Sequence, residues 1–93
     1  MEPRFHKDPD TGLPHIYDHG VTEDEVRQVL ARPQENRSED SFAAIGQTSG
    51  GRYLRVIYVP DPEPDSIFVI TAYELTGKPL AAYRSRRRKK RNP

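Results

Sequence analysis

Residues 52–59 read RYLRVIYV, and this stretch decides what kind of fold the chain adopts. Tyr53, Val56, Ile57, Tyr58 and Val59 are β-branched or aromatic, the side chains that pack well on a pleated, half-buried surface. Alternation places Tyr53, Arg55 and Ile57 on one face of this strand and Leu54, Val56 and Tyr58 on the other. Arg55 therefore stands as a cation inside an otherwise apolar strand. Such an arginine either lies on a solvated sheet face or serves a site.

Working outward, Ser49-Gly50-Gly51 is a glycine-rich hairpin loop, and residues 41–48 (SFAAIGQT) before it have strand character. Residues 60–65 (PDPEPD) follow, and their prolines cannot join a sheet ladder, so they form a loop. Residues 66–75 (SIFVITAYEL) are the third and most apolar strand, long enough to lie inside a sheet. Connections this short imply antiparallel neighbours, hence a β-meander. Residues 34–40 (QENRSED) read as a polar connection leading into it.

Upstream lies one well-specified helix in residues 20–33 (GVTEDEVRQVLARP). Thr22 and Glu25 have the spacing of a capping box, and Val21 with Val26 that of a hydrophobic staple. Glu23, Asp24 and Glu25 sit at the positive end of the helix dipole. Val26, Val29 and Leu30 make one apolar stripe, and Pro33 ends the helix near Arg32. The expectation is an α+β domain, a short helix packed on a small antiparallel meander.

The N-terminal residues carry turn chemistry at KDPDTGLP (7–14), so Arg4–Lys7 and His15–Asp18 are expected as short strands. Asp8, Asp10 and Gly12 do not form a calcium loop, since Leu13 and His19 stand where glycine and glutamate belong in that register. His15 and His19 have the i, i+4 spacing of a zinc pair, but Pro14 and Gly20 argue against a helix there. No metal and no other cofactor is expected. The chain has no cysteine, so disulfides and thiolate chemistry are excluded. No apolar run reaches spanning length or resembles a leader, so a cytoplasmic protein without membrane contact is expected.

A net charge of +1 conceals a strong asymmetry. The first 83 residues hold eight basic and all fourteen acidic side chains; the last ten hold seven basic and no acidic ones. That pattern points to a polyanionic partner. Pro79 can open a second helix, with Leu80 and Tyr83 turned towards the body. The organisation expected is a compact domain over 1–84 and a basic tail over 85–93.

Three strings taken in order, HGVTEDEVRQVL, IGQTSGGRYLRVIYV and VITAYE with the downstream Tyr83, resemble the BrnT-like toxins of type II toxin–antitoxin systems. The resemblance spans roughly residues 15–84. It implies a RelE-like fold, a metal-independent endoribonuclease that cleaves RNA, and a cognate antitoxin that silences it, with DNA contacted only through the antitoxin complex. Asp18 and Tyr73 stand where that family carries lysine and arginine.

Cleaving RNA without a metal needs help for the attacking 2′-hydroxyl, a cation for the developing charge and an acid for the leaving oxygen. Arg55, Thr71, Tyr73, Arg84 and His19 are the candidate catalytic residues. Arginine matches phosphate oxygens, and histidine titrates near neutrality. Tyr83, Arg86, Arg87, Arg88, Lys89, Lys90 and Arg91 are the candidate RNA-binding residues, with the tyrosine able to stack on a base. The alternative is a non-catalytic module of the same fold that grips nucleic acid or an acidic protein through its tail.

Overall fold

The computed structural model describes residues 2–38, 42–61 and 66–91. Strands β1 (Glu2–Phe5), β2 (Glu35–Ser38), β3 (Phe42–Gln47), β4 (Tyr53–Pro60) and β5 (Ser66–Glu74) form one sheet in the order β1-β5-β4-β3-β2. Helix α1 (Glu23–Ala31) packs on one face and α2 (Gly77–Arg91) lies on the other. The expected meander is β3-β4-β5, antiparallel throughout. To it are added β1, parallel to β5, and β2, antiparallel to β3, so the complete sheet is mixed.

Strand β1 overlaps the short strand expected over Arg4–Lys7, whereas β2 corrects the sequence reading. Residues 35–38, expected as connection, are an edge strand, because Pro33 releases the chain from α1 and the Gln34 N–H donates to the Ile45 carbonyl at 2.8 Å. Pairing with β3 then outweighs weak intrinsic strand preference. His15–His19 is a 3-10 turn rather than a strand. It turns only Ile16 fully inward and stops at Gly20, whose φ of 69° is the left-handed conformation that suits glycine.

Helix α1 begins as its sequence dictates. The Glu25 N–H donates to Thr22 Oγ1 at 3.2 Å, and the Thr22 N–H donates back to Glu25 Oε1 at 3.1 Å. Val21, Val26 and Val29 join Ile16, Ala44, Leu54, Val56, Ile67, Val69 and Ala72 in the main apolar core. At Gly46 a Cβ would come within 3.2 Å of Val29 Cγ1, so glycine permits the close approach of α1 to β3. Arg52 ties the corner together through Nη1, which lies 2.8 Å from Glu25 Oε2 and 3.0 Å from the Gly20 carbonyl.

Val69 and Ala72 both point into this core although they are three residues apart. Simple alternation forbids that. Tyr58 pairs with Val69 and Ile57 with Thr71, leaving Ile70 without a partner on β4. This bulge reverses the facing of the rest of β5 and turns Thr71 and Tyr73 away from α1. Among the described residues no helix is long and apolar enough to cross a membrane.

Candidate functional site

The register assembles one row of side chains across four strands. Glu35 lies opposite Ile45, Ile45 opposite Arg55, and Arg55 opposite Tyr73. The row lies on the face away from α1, where Ile45, Leu75 and Tyr83 form a second, smaller core flanked by Tyr53, Tyr73 and Leu80. Arg55 and Thr71 share a feature found for no other side chain among the described residues. Arg55 Nε and Thr71 Oγ1 are buried without a hydrogen-bond partner. Leaving a buried donor unmatched costs ~1–3 kcal/mol, more when it is charged.

Helix α2 crosses this face and leaves a cleft of about 170 Å³ lined by Glu35, Ile45, Arg55, Leu75, Pro79 and Arg86. Tyr83 anchors the helix. It is fully buried, its ring meets Tyr53 edge-on at 5.8 Å, and its hydroxyl donates to Gln34 Oε1. Burial pushes its phenol above the usual tyrosine range. The expectation that Tyr83 stacks on RNA bases is therefore corrected, since its ring is committed to holding α2.

Arg86 is not a free tail residue either. Its Nε and Nη2 donate to Glu35 Oε2 and Oε1, each at 3.1 Å, a bidentate pair with a nearly buried carboxylate. Arg84 is exposed and places its guanidinium over the Tyr53 ring, 5.4 Å from the centroid. Arg87 is half-buried, and the side chains of Arg88, Lys89, Lys90 and Arg91 lie outside those described. The backbone of α2 continues unbroken across residues 84–85 to Arg91.

His19 joins the site from its edge. Its ring meets Tyr73 at 6.3 Å and His15 at 5.2 Å, and His15 in turn lies 6.2 Å from His6. His15 Nδ1 sits 3.4 Å from Asp8 Oδ2 and 3.5 Å from Asp18 Oδ2. A hydrogen bond between the two carboxyl groups lowers the pKa of Asp8 and raises that of Asp18. Asp8, His15 and Asp18 converge within 4.8 Å, a set of one imidazole and two carboxylates that could hold a divalent cation. Sequence spacing tested Asp8 with Asp10, and His15 with His19; the 3-10 turn instead pairs Asp8 with His15 and Asp18.

Arg55, Thr71 and Tyr73 thus stand on one face, Arg84 reaches it through Tyr53, and His19 reaches it through Tyr73. Glu35 and Gln34 were missed because their segment read as connection. The only available signal was a glutamate immediately beyond a helix-ending proline, too common to be informative.

Residues 15–74 match the family described as Domain of unknown function (DUF4258), and the chain belongs to that family. No curated protein and no solved structure matches the chain at a significant level.

Proposed function

We propose that this DUF4258 chain is the toxin of a type II toxin–antitoxin pair, a metal-independent endoribonuclease of the BrnT-like kind that acts in the cytoplasm. One observation carries the reading: Arg55, central in a four-strand row, borders an open cleft with a buried Nε that has no acceptor. A phosphate oxygen is the acceptor that such a group fits, being charged, multiply accepting and matched to the guanidinium fork.

The chemistry follows from the groups at hand. The 2′-oxygen of RNA attacks the adjacent phosphorus, the bond to the 5′-oxygen breaks, and a cyclic phosphate and a free 5′-hydroxyl result. Arg55 stabilises the charge that builds on the non-bridging oxygens. The Thr71 hydroxyl orients the phosphate or the attacking oxygen. Tyr73 and His19, in ring contact, supply the sites that take and return the proton. Arg84 draws the strand onto the face, and a cognate antitoxin that covers the cleft silences the reaction.

The test incubates purified protein with RNA in EDTA. Cleavage by the wild type, reduced at least about 100-fold by Arg55→Ala, is the expected result, the usual scale for removing one charge-stabilising donor. Intact RNA in every tube overturns the catalytic reading.

A second reading rests on the two site positions where Asp18 and Tyr73 replace cations and on the engagement of Arg86 by Glu35. It makes the chain a non-catalytic module of the same fold that binds nucleic acid or an acidic protein. Salt-dependent RNA binding without cleavage would favour it.

A further inference from the structure

We infer that Glu35 is a specificity-determining residue that makes the cleft select an extended polyanionic strand over single phosphates. The inference rests on the reading that this cleft meets RNA, though not on whether the RNA is cleaved.

The geometry is that of a carboxylate set between two arginines. Glu35 and Arg55 belong to one cross-strand row with only Ile45 between them, and both line the cleft. Arg86 descends from α2 onto the same cleft and gives two of its donors to Glu35 at 3.1 Å. Glu35 is 9% exposed, so its charge acts where water screens it weakly.

A lone phosphate that enters to reach Arg55 meets this carboxylate on the wall of the same cleft. It also finds Arg86 already occupied. The carboxylate therefore repels the ligand and withholds a cation from it. A strand is treated differently because its successive phosphates are tethered. One phosphate held by the exposed Arg84 raises the effective concentration of the next at the cleft. The strand can thus displace Glu35 from Arg86, whereas a single phosphate binds too weakly to do so. Arg86 also lies 5.8 Å from the Tyr83 centroid, so it stays near the cleft when its carboxylate partner is lost.

Two probes test this with the full chain: a fluorescent oligodeoxynucleotide, which lacks the 2′-hydroxyl and cannot be cleaved, and inorganic phosphate as its competitor. In the wild type the strand is expected to bind and phosphate to compete poorly. Glu35→Gln keeps the shape and removes the charge, and it is expected to tighten phosphate about 10-fold while strand affinity rises no more than about 3-fold. In an Arg86→Ala background the same change should tighten phosphate at least as much, because the carboxylate it removes is there no longer paired with Arg86.

Should Glu35→Gln fail to fold, Arg86→Gln serves instead. It removes the two charged donors that Arg86 gives Glu35 and should weaken phosphate at least about 10-fold, with a smaller effect on the strand. Unchanged selectivity in a folded variant, or a wild type that binds no strand, overturns the inference. A protein that binds with the expected selectivity but cleaves no RNA removes the ribonuclease reading alone.

Discussion

The two faces of the sheet are built from the same three long strands and do different things. Towards α1 the side chains are aliphatic and fully enclosed: Val26 and Val29 from the helix meet Ala44, Leu54, Val56, Val69 and Ala72. Towards α2 the strands present Tyr53, Arg55, Thr71 and Tyr73, and the covering helix brings Tyr83, Arg84 and Arg86. One face stabilises by excluding water. Among the described residues, the other holds its helix through buried Tyr83 and the Arg86–Glu35 ion pair, and it leaves polar groups unmatched. A small domain can tolerate such a face only because the opposite one is well packed.

The sharpest way to break this comparison is to empty the α1 face. Leu54→Ala should cost about 3 kcal/mol, since it removes a fully buried side chain and leaves a cavity. Urea unfolding measures it, and a loss under about 1 kcal/mol would mean that the α1 face does not dominate stability.

The α2 face should respond with the opposite sign. Arg55→Met is expected to raise stability by about 1.5 kcal/mol, because it removes a buried unmatched donor and retains volume. The same variant should lose RNA cleavage. Gain of stability with loss of activity separates a functional arginine from one kept for packing, and a destabilised Arg55→Met would show the reverse.

Thr22→Ala should cost about 1 kcal/mol through the lost cap of α1, with no effect on RNA. A change in RNA binding there would mean that the two faces are coupled through the sheet.

The smallest effect is silent at neutral pH. Burial holds the folded-state pKa of Tyr83 above its unfolded value, so folding favours the protonated phenol. That contribution is complete below about pH 10, the unfolded tyrosine value, and is lost as pH rises through the folded one. Exposed Tyr17 shifts upwards as well, through its hydrogen bond to Glu23. Comparing Tyr17→Phe with the Tyr17→Phe, Tyr83→Phe double variant isolates the buried residue. Stability of the double variant should fall less steeply above pH 10.

Much of the α1 face was legible from the chain alone. The capping box, the valine stripe and the alternation of residues 53–58 are local patterns with one reading each, and all three occur as expected. Thr71 and Tyr73 were named beside Arg55 as candidates, but the bulge at Ile70 that puts them on its face, and decides how Val69 and Ala72 face, was not anticipated. A bulge leaves no local mark when the extra residue is as apolar as its neighbours.

The α2 face was only half legible. Arg55 announced itself as a charge inside an apolar strand. Glu35 and Gln34 did not, because nothing in residues 34–40 signals a strand until β3 lies alongside. Residues 85–93 read as a tail of six cations, whereas Arg86 belongs to the domain; that Tyr83 faces the body was legible from the sequence. A cluster of cations in the sequence is a local signal. It omits the carboxylate that pairing of β2 with β3 brings beneath the helix.

By itself, then, the sequence determined where α1 begins and ends, which residues form the meander, and that Arg55 stands apart within it, because each of these depends on neighbours a few positions away. Only the tertiary structure decided that β1 and β2 complete the sheet and that Glu35, Arg55 and Tyr73 share one row. It alone also placed Arg86 over that row as the partner of Glu35. Those relations are set by strand register and by the docking of α2, and both arise from contacts between residues that lie far apart in the chain.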